Sequence, residues 1–195
     1  MRRVSGREPA AQRLAQQERR ERMLDATVAL AARGGYDAVQ MRAVAEHADV
    51  ALGTLYRYFP SKVHLLVSAL VRDLEAAEPL TRECTGATAA ERVTRLLQLT
   101  TARMRQEPRV SEALVRAFMF ADSSAREEIR GVSRLLVTML ARAVRPDGEP
   151  DADDLAKAAV IRDVWLAGLV GWVSGRSTEA DVTRSLETAV RLLLG

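Results

Sequence analysis

Lysine is nearly missing from this chain: Lys62 and Lys157 are the only two among 29 basic residues, and the rest are arginine. A single cysteine, Cys84, excludes an internal disulfide and agrees with a reducing compartment. Aromatic residues make up 4% of the chain and there are six prolines, which leaves little to build sheets, and no segment alternates in the manner of a strand. The longest apolar run, residues 164–173, falls well short of the roughly 20 residues a membrane span needs. No secretory apolar segment follows the N-terminus, so a cytoplasmic chain with no membrane partner is expected. With two histidines, one cysteine, no HExxH pair and no glycine-rich phosphate loop, the common enzyme signatures are missing. The expectation is a non-enzyme without metal or cofactor.

What remains is a globular composition. The 195 residues are 48% apolar and 28% charged, long enough for one or two domains with a real core. The net charge of +3 is unevenly placed. Residues 1–62 hold eleven Lys/Arg against seven Asp/Glu, and residues 63–195 hold eighteen against nineteen. Basicity confined to one third points to a localised phosphate-binding face. A non-specific nucleoid protein would carry it all over its surface.

The stretch 40–62, QMRAVAEHADVALGTLYRYFPSK, is where the chain concentrates its chemistry. Met41, Val44, Ala45 and Ala48 fall on one side of a helix, and Leu52, Leu55 and Phe59 form a second apolar row after a break at Asp49-Val50. Two short helices joined by a tight turn make a helix-turn-helix. With Leu55 and Phe59 turned inward, Gly53, Thr54, Tyr56, Arg57 and Tyr58 face outward, a costly surface unless something docks there. A DNA major groove suits it: Thr54 offers a hydroxyl and a methyl, Arg57 a bidentate fork, the tyrosines hydroxyls for phosphates, and Gly53 room for close approach. Ser61 can cap the next helix, whose free amides favour an anion, and Lys62 stands beside it as a phosphate clamp.

At these residues the chain resembles the TetR family of transcriptional regulators. Gly53-Thr54-Leu55-Tyr56-Arg57-Tyr58-Phe59 with Ser61-Lys62 is similar to that family's recognition helix and phosphate contact, and residues 41–48 to its supporting helix. The fuller run 34–45, with Val50-Ala51 and residues 61–70, resembles the subgroup of actinobacterial repressors of sterol catabolism. Gln40 stands where Thr or Ser is usual, Asp49 where Gly usually makes the turn, and Val63-His64 where an acidic residue often follows. Asp tolerates the left-handed conformation, so the turn survives; the Gln40 cap should be weak. The resemblance implies an all-α fold of about nine helices: a three-helix DNA-binding domain followed by a helical ligand-binding and dimerisation domain. It implies double-stranded palindromic operator DNA as partner, a homodimer, and a DNA-binding set of Arg42, Leu52, Gly53, Thr54, Tyr56, Arg57, Tyr58, Ser61 and Lys62. Its subgroup implies a hydrophobic effector such as a sterol-derived acid or acyl-CoA thioester. A TetR-like regulator of another lipophilic ligand or efflux system, or an activator, is the alternative.

Along the chain, residues 1–17 lack a repeating apolar face and carry Gly6 and Pro9, which predicts a flexible basic arm with Arg2, Arg3, Arg7 and Arg13 near phosphates. An ordinary disordered terminus fits equally. Residues 18–62 form the DNA-binding domain, beginning with an amphipathic helix at 18–33 that Gly34-Gly35 ends. Residues 63–195 form the second domain, entered through a long helix from Ser61 to about Glu78 that can transmit movement. Thr88-Ala89-Ala90-Glu91 and Ser124-Ala125-Arg126-Glu127 are capping-box patterns. Pro108 opens a helix reaching Phe120, and residues 145–153 form a polar turn.

Of two last helices, about 154–174 and 178–194, the first is apolar nearly all round in its second half and the second adds an apolar row. In the resembled family this pair forms a four-helix dimer interface, which here selects Val164, Gly168, Gly171, Trp172, Leu186, Val190 and Leu193. Leu97, Met104, Val115, Phe118, Met119, Met139, Trp165 and Leu169 are candidates to line a ligand chamber, because methionine and aromatics suit an adaptable apolar pocket. They suit a packed core equally well. Arg116 and Arg162 could meet an acidic group of a ligand, but are expected to pair with Asp122, Asp163 or other neighbours.

Overall fold

The computed structural model describes residues 8–195, which form ten α-helices and one 3-10 turn with no strand among them. The domain expected to bind DNA contains α1 (Glu8–Ala38), α2 (Met41–His47) and α3 (Leu52–Tyr58). Its core is built from Met23, Leu24, Val39, Val44, Leu55 and Phe59, all essentially closed to solvent. The helix α1 breaks at Gly34-Gly35, where Gly35 takes a φ of +64° that only glycine adopts freely. It begins at Glu8, ten residues earlier than expected, so the arm expected over residues 1–17 is helical from residue 8 onward. Arg2, Arg3 and Arg7 lie outside the described residues.

From Lys62 the chain enters the second domain: α4 (Lys62–Ala77), α5 (Leu80–Glu83), α6 (Ala89–Gln106), α7 (Pro108–Phe120), α8 (Arg126–Val144), α9 (Ala152–Val173) and α10 (Glu179–Leu194). Thr88 and Glu91 form the expected capping box, and Pro108 occupies the first turn of α7. The second expected box is absent. Asp122 instead accepts the Ser124 amide at 2.8 Å and holds the 3-10 turn Ser123–Ala125, after which α8 starts without a side-chain cap. Two boxes not foreseen, Asp151 with Asp154 and Thr178 with Asp181, open α9 and α10. Arg145 donates to Asp154 at 2.5 Å and Asp151 at 2.6 Å, which fixes the polar turn between α8 and α9. That guanidinium holds the Asp154 carboxyl below its usual range.

α4 packs on α1, α7 and α8; α8 packs on α6 and α9; and α10 closes against α6 and α9. α1 makes its broadest contact with α7, so the two domains meet along a second seam besides α4. No helix among the described residues is long and apolar enough to cross a membrane.

The α9–α10 pairing corrects part of the expected dimer set. Gly171, Leu186 and Val190 are buried within this chain. A Cβ on Gly168 would stand 2.8 Å from Val182 Cγ1, and one on Gly171 2.6 Å from Ser177 Oγ. Trp172 lines a small cleft against α6 and α10. Gly168 lets α9 approach α10 of the same protomer, and Gly171 lets the turn between them fold back on α9. Val164 and Leu193 stay half-buried, while Val160 is 49% exposed and Leu192 72% exposed.

Gly168→Val should force α10 away from α9 and cost about 1–3 kcal/mol of stability. Denaturant unfolding would show this as a lowered midpoint, and an unchanged midpoint would mean that α10 yields without loss.

Candidate nucleic-acid interface and ligand chamber

The turn between α2 and α3 is made as expected. Asp49 sits at φ +52°, in the left-handed region, and Val50 N–H returns to the Ala45 carbonyl at 3.0 Å. Gln40 provides no side-chain cap to α2; its amide donates back to the Asp37 carbonyl at 3.1 Å. Leu55 and Phe59 anchor α3, and Tyr56 is 47% exposed with Gly53 and Arg57 also exposed. Leu52, Thr54 and Tyr58 are half-buried at the edges, and Arg42 is exposed on α2. A Cβ on Gly53 would meet nothing within 4 Å, so the fold itself does not require glycine there. A depression bounded by Gln40, Arg42, Tyr56 and Lys62 runs along this face. The added turns of α1 lie close by, with Gln12, Gln16 and Arg19 lining a second depression beside Arg57 and Tyr58.

Ser61 caps α4 as expected, accepting the His64 amide at 3.5 Å, and its hydroxyl lies 2.9 Å from His64 Nδ1. His64 Nε2 lies 3.1 Å from the Ser124 carbonyl oxygen. A carbonyl only accepts, so in the neutral ring Nε2 carries the proton and Nδ1 accepts from Ser61. His64 therefore ties the start of α4 to the turn before α8. Lys62 lies 3.8 Å above the Tyr36 ring. Burial holds its ammonium below the ordinary lysine value, opposed by Asp37, reinforced by Arg116, and opposed again by Glu112.

The second candidate site is a chamber of about 480 Å³ enclosed by α4, α6, α7, α8 and α9. Met104, Val115, Phe118, Trp165 and Leu169 line it, as expected. Three others do not. Leu97 faces the separate cleft of about 100 Å³ between α6, α9 and α10, Met119 is 40% exposed, and Met139 is packed in the core. Periodicity shows that a side chain points inward, and it does not show whether a wall or a packed layer lies there. The same ambiguity concealed Leu70 and Leu74 on α4 and Val132 and Leu136 on α8, whose apolar rows read as ordinary core.

Most of the chamber is apolar, with polar groups in particular places. Thr100 donates to the Leu96 carbonyl of its own helix and Ser111 to the Met104 carbonyl of α6, at 2.8 Å each, and both keep lone pairs free to accept. Arg72 and Arg103 stand at one side of the chamber. Arg72 also pairs with Glu21 at 3.1 Å and Asp25 at 2.7 Å on α1, and Arg103 pairs with Asp73 at 3.1 Å. Arg116 and Arg162 are paired as expected, Arg162 with Asp163 and Arg116 with Asp37 and Glu112 rather than Asp122.

Both regions coincide with known sequence families. Residues 23–69 match the family described as bacterial regulatory proteins, tetR family, and residues 86–193 match the tetracyclin repressor-like C-terminal domain. The chain belongs to the TetR family. Among curated members it is 55% identical, over 93% of its length and 85% of the relative's, to the HTH-type transcriptional repressor KstR of Rhodococcus jostii (strain RHA1). Among solved structures it matches a TetR transcriptional regulator from Rhodococcus sp. RHA1 with a TM-score of 0.82 and 28% identity, covering 92% of this chain and 97% of that one. It also shares the fold of Thermus thermophilus FadR in complex with lauroyl-CoA, at a TM-score of 0.73, 20% identity, and 89% and 92% coverage. In this TetR-family chain the helix-turn-helix and the chamber are joined by α4, which begins at one and forms a wall of the other.

Ser61→Ala removes the α4 cap and the hydroxyl facing His64 together. A loss of about 1 kcal/mol in unfolding free energy is expected, and an unchanged denaturation midpoint would show that the cap contributes nothing.

Proposed function

We propose that the protein is a transcriptional repressor that binds a palindromic operator as a homodimer. A hydrophobic effector, a sterol-derived acid or its CoA thioester, enters the chamber and releases the DNA, so that genes of sterol and lipid catabolism are transcribed. The observation that carries this is the 55% identity to a repressor named KstR, which extends over 93% of the chain and so takes in both the recognition helix and the chamber. The chamber volume of about 480 Å³ supports a small-molecule effector, since such sites usually measure about 300–1,000 Å³. Acyl-CoA bound to a FadR of the same fold supports a thioester as the chemical class. The chain works in the cytoplasm and binds its effector without transforming it.

In this proposal Tyr56 and Arg57 read base edges, Gly53 lets the backbone approach the duplex, and Lys62 holds a phosphate. Two copies meet through the exposed parts of α9 and α10, around Val160, Val164, Leu192 and Leu193, and each presents one α3 to a half-site about 34 Å or a multiple of it away. Effector and operator oppose each other only if the effector prefers a conformer in which the two recognition helices are wrongly spaced.

Arg57→Ala should cost about 1–3 kcal/mol of discrimination between operator and scrambled duplex. Lys62→Ala should weaken both duplexes alike, and a specificity change in the lysine variant would contradict its phosphate role. Titrating cholesterol-derived acyl-CoA thioesters into the protein–operator complex should release the DNA; no release across the series would remove the sterol effector and leave DNA binding untouched. Val160→Asp with Leu192→Asp should give a monomer in sedimentation equilibrium, and a persistent dimer would place the interface elsewhere.

A further inference from the structure

The phosphate-clamp lysine is seated on a ring of α1 that the other domain holds in place. Its ammonium rests 3.8 Å from the Tyr36 ring, and the same ring lies 4.8 Å from the Arg116 guanidinium and 5.9 Å from the Phe120 ring of α7. Tyr36 is also held by its backbone: its N–H donates to Glu112 Oε2 of α7 at 3.0 Å. That amide directly follows the Gly34-Gly35 break, and a Cβ on Gly35 would stand 2.7 Å from the same carboxylate oxygen. Arg109 reaches the Arg33 carbonyl at 2.5 Å on the near side of the break, and Arg116 spans Asp37 and Glu112 on the far side. The broken end of α1 is thus gripped by three charged residues one helical turn apart on α7. The other face of α7 carries Val110, Ser111, Leu114, Val115 and Phe118 into the chamber wall.

We propose that Tyr36 is a positioning residue for the Lys62 phosphate contact, pinned by Glu112, so that α7 as well as α4 decides where Lys62 reaches. It rests on the role given to Lys62 under the proposed function and adds how that lysine is placed. A lysine side chain is long and free to rotate, and a phosphate contact gains from holding it in advance. The ring supplies a cation-binding face, and the Glu112 hydrogen bond fixes the ring's backbone relative to a helix that lines the chamber. A shift of α7 when the chamber fills would carry Tyr36, and with it the seat of Lys62.

Charge and position make opposite forecasts for Glu112. If the carboxylate acts only through its charge near a phosphate-binding lysine, then Glu112→Gln and Glu112→Ala both remove one negative charge and both tighten DNA binding. If it acts by pinning Tyr36, the glutamine oxygen still accepts the Tyr36 N–H and affinity is kept or slightly improved, whereas the alanine weakens binding.

The test is operator binding by the full-length protein across a salt series, without any effector. Tyr36→Phe should bind as the unaltered protein does, and Tyr36→Leu about 3- to 10-fold more weakly on operator and scrambled duplex alike, with a shallower salt dependence. Glu112→Ala should follow Tyr36→Leu, and Glu112→Gln should not. In a Lys62→Met background neither Tyr36→Leu nor Glu112→Ala should weaken binding further, because their effect passes through that ammonium. Additive losses in this background, or equal tightening by both Glu112 variants, would overturn the proposal, as would a Lys62→Met variant that binds normally. Should Tyr36→Leu melt early, the two Glu112 variants still decide it, since both keep the tyrosine side chain and differ only in whether its backbone is pinned. Failure of the unaltered protein to bind any duplex would instead remove the DNA-binding role itself.

Discussion

The structure depends on one continuous rod shared by two sites. α4 runs for 16 residues, about 24 Å at 1.5 Å per residue. Ser61 caps its start and Lys62 in its first turn borders the DNA-facing motif, and Leu70 and Leu74 lie in the chamber wall farther along. An α-helix capped at its start and packed along its length does not bend at low cost, so displacement at the wall is felt at the cap. His64 adds a restraint by joining the first turn to the Ser124 carbonyl of the second domain. The buried row Leu65, Leu66, Val67 and Ala69 leaves little room for α4 to slip independently of its neighbours.

A second seam makes the connection between domains two-legged. α7 faces the chamber with one side and grips the broken end of α1 with the other. Arg72 forms a third, weaker tie: it sits on α4, borders the chamber and pairs with two carboxylates of α1, one of them 71% exposed. Exposed pairs of that kind are worth little by themselves. In the proposed mechanism the packed seams set the two conformers and such ion pairs adjust the balance between them. A packed interface tends to have discrete arrangements, which is what a switch between DNA-bound and DNA-free states requires.

Much of the fold was legible because its signals are local. The apolar rows of α2 and α3, the proline opening α7 and the Thr88–Glu91 box each state their role within a few residues. The early start of α1 was not legible for a physical reason. Residues 11–17 are exposed, Leu14 at 59%, so no core selects an apolar face there. They are helical because helix propagates readily from an anchored segment through alanine, glutamine and arginine. The recognition face was readable from Leu55 and Phe59, since fixing those two inward leaves Tyr56 and Arg57 outward. The chamber and the α9–α10 seam were readable only in part. Gly168 announces close helix approach, and only the packed structure shows that the partner is Val182 of the same chain.

The central claim is that the chamber and the recognition helices share one conformational equilibrium, and linkage tests it most directly. Operator affinity should be measured with and without a saturating cholesterol-derived acyl-CoA, and affinity for that thioester with and without saturating operator. Thermodynamic reciprocity requires the two factors to be equal. The account predicts the same loss, tenfold or more, in both directions. Thioester binding to the chamber with an affinity that operator leaves unchanged would contradict it.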